Sequence, residues 1–200
     1  SLAVVQAEAN ALDADKGEEM KGHRRALGVA QISLPFNILG PDVSSQNKAV
    51  TSLCDQIASA AGYQSGHYLK YMLFKIAYAS VSNALAGQFI LKEGHAGPLA
   101  AVICRTAEKF PSMSELFRMQ IYKTCPPTIP KFKSDEGGEE FCIAMGFIKV
   151  KGAWETPTAW LDRMNKVVGL FASVVAYPGA NPLSLDDGWI WLARVTNMCL

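Results

Sequence analysis

The residue types best suited to binding a ligand are lysines that cluster around a proline-rich stretch. These lysines are Lys123, Lys131, Lys133, Lys149 and Lys151. Several ammonium groups can converge on a polyphosphate, because each of them offsets part of its charge and donates hydrogen bonds. A solvated, charged surface is the ordinary alternative, and the sequence leaves both interpretations open.

The tryptophans form a second candidate site near the end of the chain. All four lie at or after position 154, and two of them, Trp189 and Trp191, belong to one predicted helix. Residues two apart cannot share a helix face. We expect one ring to pack inward and the other to cover a neighbouring helix or a partner. Burial of both rings among stacked helices is the alternative.

Signatures of common enzymes are absent from the sequence. The patterns GxxxxGKS/T, GxGxxG, HExxH and GxSxG do not occur. The histidines His23, His67 and His95 lie in or beside predicted loops. The acidic pairs Glu139-Glu140 and Asp186-Asp187 each open a predicted helix, where carboxylates interact favourably with the helix dipole. We therefore predict a protein without enzyme activity.

Charge and cysteine usage exclude further classes. The 19 basic and 18 acidic residues give a net charge of +1, so broad binding to nucleic acid is not expected. The five cysteines are far apart and form no CxxC pair, which is typical of reduced thiols in a cytosolic or nuclear protein rather than of a metal site. The apolar stretch from Leu69 to Leu91 contains Lys70 and Lys75, so we interpret it as a core helix and not as a membrane span.

Apolar residues recur at three- and four-residue steps along most of the chain, and strand-like alternation is not found. The pattern therefore predicts an all-α fold of stacked antiparallel helices. The predicted helices run from about Ser45 to Gly62, His67 to Lys92, Pro98 to Phe110, Ser112 to Cys125, Glu139 to Phe147, Thr156 to Ala176, and onward from a capping Asp186. On the Thr156–Ala176 helix, Leu161 and Phe171 are both predicted to be buried.

Two regions of different character are predicted. Residues 1–45 form an N-terminal segment with a short Ala-rich helix, a solvated linker at 17–25 and irregular chain at 26–45, because charges, Gly17, Gly22 and Pro35 interrupt the pattern. Residues 46–200 form the helical domain.

Four short motifs occur in order in the second half of the chain. They are Lys123-Thr124-Cys125-Pro126-Pro127, Met145-Gly146-Phe147, Trp160-Leu161-Asp162-Arg163-Met164, and Gly188-Trp189-Ile190-Trp191-Leu192-Ala193 followed by Asn197-Met198. Their order and spacing resemble the C-terminal domain of the GLFG-lethal mRNA-export factor family. The upstream segment Ala84 to Phe89 is also similar, so the resemblance covers about residues 83–198.

The resemblance implies a HEAT-repeat-like fold and a regulator of mRNA export at the cytoplasmic face of the nuclear pore and in the cytoplasm. Members of this family activate a DEAD-box RNA helicase, bind an FG-nucleoporin and act in translation initiation and termination. In fungi, inositol hexakisphosphate bridges the family domain and the helicase. Together with this resemblance, the lysine cluster predicts a phosphate site at Lys123, Lys149 and Lys151, and the tryptophan pair predicts a partner surface at Trp189 and Trp191. A helical-repeat adaptor that binds a peptide of a nucleoporin or another partner is the alternative.

The sequence differs from the family pattern in two places. Fungal members carry several basic residues on the helix that ends before the proline pair, whereas Gln120 and Thr124 accompany Lys123 here. The family domain continues beyond the motif at Asn197-Met198, so the helical domain is expected to be incomplete at its C-terminus. An apolar face of the last helix should then be exposed or covered by a partner, with Ile190, Ala193, Val195 and Met198 as candidates.

Overall fold

The structure, a computed structural model, describes residues 2–86, 96–129 and 138–198, and the side chains of Leu2, Ala86 and Met198 are outside this description. Several sequence-based predictions therefore fall outside the described residues. They concern the end of the second predicted helix near Lys92, His95, Lys131, Lys133 and the side chain of Met198.

Ten α-helices and one short β-hairpin make up the described residues, together with three single 3₁₀ turns. The helices are α1 Leu2–Ala14, α2 Glu18–Ala26, α3 Leu34–Asn37, α4 Val43–Gly62, α5 Leu69–Ala86, α6 Ala96–Lys109, α7 Ser112–Thr124, α8 Glu139–Ala144, α9 Pro157–Val175 and α10 Leu185–Met198. The hairpin strands are β1 Lys149–Val150 and β2 Ala153–Trp154. The predicted all-α class is confirmed.

The helices pack as pairs that stack on one another. Helices α4 and α5 form one pair and α6 and α7 the next, with α4 against α6 and α5 against α7. Helix α9 then packs on α6 and α5, and α10 packs on α9. This arrangement is the repeating contact pattern of an α-solenoid, in which each layer buries the apolar face of its neighbour. None of the described helices is both long enough and apolar enough to cross a bilayer.

One hydrophobic cluster extends from Val5 on α1 to Leu183 just before α10. Its largest fully buried side chains are Phe36, Phe117, Leu53, Ile57, Met72, Ile76, Leu99, Ile103, Met113, Ile121, Leu170 and Leu183. The N-terminal helix α1 is attached to this core by polar contacts as well. Tyr71 donates a hydrogen bond of 2.6 Å to Asp13, and Lys75 forms an ion pair of 2.9 Å with the same carboxylate.

The predicted solvated linker at 17–25 is wrong, because this stretch forms α2. Its first turn contains Glu18 and Glu19 and its last turn His23, Arg24 and Arg25, so the charges that looked like a linker instead complement the helix dipole at both ends. The following chain is not loose either, since its apolar side chains are buried in the common core. They are Leu27, Ile32, Phe36 and Leu39. A domain boundary at residue 45 stays a prediction.

The β-hairpin was missed in the sequence, and the helix predicted for Glu139–Phe147 ends at Ala144. Strand β1 pairs antiparallel with β2 around Lys151 and Gly152, which both have positive φ angles of 52° and 87°. Two positive φ angles define the turn that suits a two-residue hairpin, which usually contains Asn-Gly or Asp-Gly. The turn was not predicted, because a lysine occupies its first position.

The predicted N-terminal cap is correct for α9 and wrong for α10. Thr156 caps α9 as predicted, because its hydroxyl accepts a hydrogen bond of 3.2 Å from the backbone N–H of Ala159. Helix α10 begins two residues earlier than predicted. Ser184, not Asp186, is its cap, and Ser184 and Asp187 accept hydrogen bonds from each other's backbone N–H groups.

The burial predicted on α9 is half right. Phe171 is 2% exposed, which confirms the prediction, whereas Leu161 is 51% exposed and was wrongly placed in the core. The reason is geometric: ten residues at 3.6 per turn place these side chains about 80° apart around the helix. The apolar stripe passes through Trp160 instead, which is eleven residues from Phe171 and almost in line with it.

Phe171 and Leu161 provide a matched pair for testing the packing of α9. Phe171→Ala should lower the free energy of unfolding by about 3–5 kcal/mol, because it leaves a cavity in the core. Leu161→Ala on the same helix should change it by no more than about 0.5 kcal/mol. Urea unfolding followed by circular dichroism measures both. Equal losses for the two variants would contradict the orientation of α9.

Candidate functional site

The predicted phosphate-binding lysines lie on two separate elements. Lys149 on β1 forms an ion pair of 2.7 Å with Glu139, and its ammonium lies 4.7 Å from the centre of the Trp154 ring. The hydrogen bond from Lys149 lowers the pKa of the Glu139 carboxyl. Lys151 is exposed at the tip of the same hairpin. The structure therefore brings these two lysines together.

Lys123 lies at the end of α7, where its ammonium donates a hydrogen bond to the side-chain oxygen of Gln6 on α1. Gln120, one turn earlier, is 6% exposed, and its amide donates to Thr124. The two uncharged residues are thus occupied with each other, and Lys123 is the cation at this end of α7. Its convergence with the hairpin lysines stays a prediction.

The two tryptophans of α10 point in different directions, as predicted. The Trp191 ring packs 6.0 Å from that of Phe171, centre to centre, and its indole N–H donates a hydrogen bond of 2.8 Å to the Pro127 carbonyl. Trp189 is 61% exposed. The expected exposed apolar face of this helix is present, since Ile190 and Ala193 are exposed, while Val195 is partly buried.

A tight turn at Cys125–Thr128 follows α7 and is buried at both ends. The Thr128 hydroxyl donates a hydrogen bond of 2.6 Å to the Cys125 carbonyl. The Cys125 thiol lies 3.9 Å from the Met164 carbonyl on α9, and burial raises its pKa to about 12. Such a thiol is protonated at neutral pH, so Cys125 joins the turn to α9 and does not act as a nucleophile.

The Met145-Gly146-Phe147 segment rests on this turn and on α9. The Trp160 indole donates a hydrogen bond of 2.9 Å to the Met145 carbonyl, and the Phe147 and Trp160 rings stack at 5.1 Å with an interplanar angle of 5°. Gly146 has a φ angle of 75°, and a Cβ atom at this position would lie 2.8 Å from Pro126. Only glycine therefore fits there.

Arg163 and Glu155 form a buried pair that sequence analysis did not single out. The Arg163 guanidinium donates hydrogen bonds to Glu155 and to the Gly146 carbonyl. The side chains are 15% and 5% exposed, and the bond from Arg163 holds the pKa of Glu155 below its usual range. Glu155 also accepts from the Ile148 N–H, so this pair fixes the hairpin to α9.

Helix α10 is fixed to the same region by its own motif. Gly188 allows close packing on α9, since a Cβ atom there would lie 2.7 Å from Val175. Arg118 on α7 donates a hydrogen bond of 3.0 Å to the Pro182 carbonyl and lies 3.4 Å from the Asp187 carboxylate. All four motifs therefore meet at or beside the Cys125–Thr128 turn, and their distinctive residues serve the packing of α7, α9 and α10.

The described part of the chain contains no group of three or more His, Cys, Asp or Glu side chains that could hold a metal ion. The four cysteines within it, Cys54, Cys104, Cys125 and Cys142, are free thiols. Two candidate binding surfaces are the lysine-bearing hairpin with the end of α7, and the outward side of α10.

Alanine substitutions at two glycines can separate the contact of Gly146 with Pro126 from the cost of backbone strain. Gly146→Ala and Gly152→Ala each place a side chain at positive φ, which costs about 1–2 kcal/mol. Nothing lies within 4 Å of a Cβ at Gly152, whereas Pro126 blocks one at Gly146. Gly146→Ala should therefore lower the free energy of unfolding by about 1–3 kcal/mol more than Gly152→Ala does. Thermal or urea unfolding measures both. Similar losses would show that Pro126 does not confine Gly146.

A family model described as GLE1-like protein matches residues 5–200. Among curated proteins, an mRNA export factor GLE1 of Rattus norvegicus is 24% identical over 209 aligned residues, covering 94% of this chain and 29% of that protein. The protein of the same name from Danio rerio is 26% identical over 111 residues, covering 50% of this chain and 16% of that one. The chain thus spans less than a third of these relatives.

Two solved structures from S. cerevisiae share the fold. One contains Gle1 with a variant Dbp5 C-terminal domain and IP6, with a TM-score of 0.80 and 20% identity, covering 98% of this chain and 72% of that one. The other contains a Gle1 variant in the same kind of complex, with a TM-score of 0.81 and 21% identity, covering 98% and 70%. With the family model matching nearly every residue, the chain belongs to the GLE1-like protein family.

Proposed function

We propose that this chain is a non-enzymatic regulator of mRNA export that binds a DEAD-box RNA helicase and stimulates its ATPase cycle. The observation that carries this proposal is membership of the GLE1-like family over almost the whole chain. The neighbouring Gle1 structures, which hold a Dbp5 C-terminal domain and IP6, support the choice of a helicase as partner. The proposed place of action is the cytoplasmic face of the nuclear pore, and the cytoplasm.

A scaffold of this kind can accelerate a helicase without a catalytic group. If it binds the nucleotide-releasing or RNA-releasing conformation more tightly than the closed one, it shifts the population towards release. The described fold suits this role, because its helices share one buried core and the motif segments are fixed to each other. Little binding free energy is then lost in ordering the scaffold itself.

Inositol hexakisphosphate is the proposed small-molecule ligand, with Lys123, Lys149 and Lys151 as its binding residues. The polyphosphate would replace two contacts of the free protein, from Lys123 to Gln6 and from Lys149 to Glu139. Both contacts lie at the surface, where water competes for the same groups and such contacts contribute little to stability. Their loss is therefore a small cost against several charge-assisted hydrogen bonds to phosphate.

A second candidate function is an adaptor that binds a peptide of an FG-nucleoporin or another partner. The exposed face of α10 favours it, because Trp189 is accompanied there by Leu185, Ile190 and Leu192, which are all 43% exposed or more. Apolar side chains grouped on one surface helix are typical of a protein interface. The two functions are compatible, since the face of α10 and the lysines of the hairpin are different surfaces.

Helicase ATPase turnover tests the leading proposal. The DEAD-box export helicase of the same organism is assayed with RNA, with and without the chain, and the chain is assayed alone. We expect turnover to rise with added chain and the chain alone to hydrolyse no ATP, because it acts on helicase conformation only. Binding to the helicase without stimulation would favour the adaptor function instead.

Thermal unfolding tests the phosphate site. Inositol hexakisphosphate should raise the melting temperature as its concentration increases, because a ligand that binds only the folded state adds about 2.7 kcal/mol at a hundred times its Kd. Lys123→Gln should weaken this shift. Lys21→Gln, on the exposed surface of α2, is the matched control and should leave the shift unchanged. A melting temperature that does not respond to millimolar ligand would remove the site from this protein.

A further inference from the structure

A cleft between α7 and α10 borders the exposed face of α10, and Ile190 lies at the edge of both. The volume of the cleft is about 350 Å³, which is within the range of small ligand pockets. Arg118 and Tyr122 line it from α7, and Asp187, Ile190, Trp191 and Arg194 line it from α10. Spacings of three and four residues place the α10 side chains on one stripe of that helix. Trp189, on the outward face, is not part of the lining.

Several polar groups in this cleft already have partners. The Trp191 indole donates to the Pro127 carbonyl, and the Thr128 hydroxyl donates to the Cys125 carbonyl. Arg118 is held by the Pro182 carbonyl and the Asp187 carboxylate. The Asp187 carboxylate also accepts two hydrogen bonds from Ser184. These groups form the walls of the cleft and leave little hydrogen-bonding capacity for a ligand.

Arg194 is in a different situation. Within the described ranges, no hydrogen bond or ion pair involves the Arg194 guanidinium, although it lines the cleft. Tyr122 lies opposite on α7, where burial, the charge of the nearby Asp187 carboxylate and a hydrogen bond to it raise the pKa of its phenol. The phenol is therefore protonated at neutral pH and already directed at Asp187. The cleft thus combines the Arg194 guanidinium with apolar walls.

We propose that this cleft binds a carboxylate carried by a peptide, with Arg194 as the ion-pair partner and Ile190 and Trp191 as the apolar wall. A single carboxylate matches the charge of the site, since Arg118 and Asp187 compensate each other and Arg194 contributes the remaining positive charge. A planar carboxylate also fits the two parallel N–H groups of a guanidinium. A dianionic phosphate fits less well, because a net charge of +1 leaves one of its two negative charges uncompensated.

The carboxylate could come from an acidic side chain or from the C-terminus of a peptide. Both sources share the same chemistry, and the apolar wall favours a peptide in which an apolar residue adjoins the carboxylate. The proposal rests on the residues of the cleft and not on the regulation of a helicase. Failure of one therefore leaves the other standing, because helicase turnover and peptide binding are measured separately.

Titration of the whole chain with short peptides tests the proposal, followed by the indole N–H signal of Trp191 in NMR spectra. The probes are acetyl-Leu-Glu-Leu-amide, its Gln counterpart, and acetyl-Leu-Leu with either a free or an amidated C-terminus. We expect the Trp191 signal, assigned by its loss in Trp191→Phe, to shift with a carboxylate-bearing probe. The shift with the corresponding amide should need about tenfold more peptide.

Arg194→Gln is the test variant, and Arg25→Gln on the exposed surface of α2 is its control. Arg194→Gln should weaken binding of the carboxylate probe about tenfold and remove its preference over the amide. Arg25→Gln should bind as the unmodified chain does, and equal melting temperatures exclude misfolding. Equal binding of the Glu and Gln probes would overturn the proposal. So would full affinity in Arg194→Gln, or tighter binding of phenyl phosphate than of acetate.

Discussion

The second half of the fold depends on the short turn at Cys125–Thr128. Three later segments attach to it: the glycine at 146 packs on the Pro126 ring, the Met164 carbonyl contacts the Cys125 thiol, and the Trp191 indole donates to the Pro127 carbonyl. Two consecutive prolines hold the backbone of the turn with fixed φ angles and no N–H groups. Because the turn itself can barely change shape, it sets where the hairpin, α9 and α10 lie.

This dependence changes the meaning of the motifs. Residues that look chemical, such as Cys125, Trp160 and Arg163, donate to backbone carbonyls, and Arg163 also donates to Glu155. The glycines at 146 and 188 keep space for close contacts. A motif of this kind is characteristic of how the family packs its helices, whereas binding depends on the side chains exposed around it. The candidate ligand-binding groups, at Lys149, Lys151 and Arg194, are accordingly exposed positions next to the fixed framework.

The sequence allowed correct prediction of the elements whose signals are local. The Thr156 cap and the apolar stripe through Phe171 located α9, and the proline pair after Cys125 placed the end of α7 within one residue. Errors arose where tertiary contacts decide the outcome. Charges in α2 were taken for a linker although they match the helix dipole, and Leu161 was assigned to a stripe that passes beside it. The hairpin escaped notice because lysine occupies a position that favours asparagine or glycine.

In the candidate site, too, local signals were predictable and tertiary contacts were not. Residue types predicted that lysines and tryptophans face ligands or partners, and the opposite orientations of Trp189 and Trp191 followed from helical spacing alone. The cleft at Arg194 could not be predicted, because it joins α7 to α10, which are distant in sequence and meet only once the helices are packed. The Arg163–Glu155 pair spans only eight residues, but its further bonds to the Gly146 carbonyl and the Ile148 N–H form only when the hairpin packs on α9. Both lie beside the proline turn. A rigid turn therefore positions the helices and, in the gap between α7 and α10, places the Arg194 guanidinium beside the apolar wall of Ile190 and Trp191.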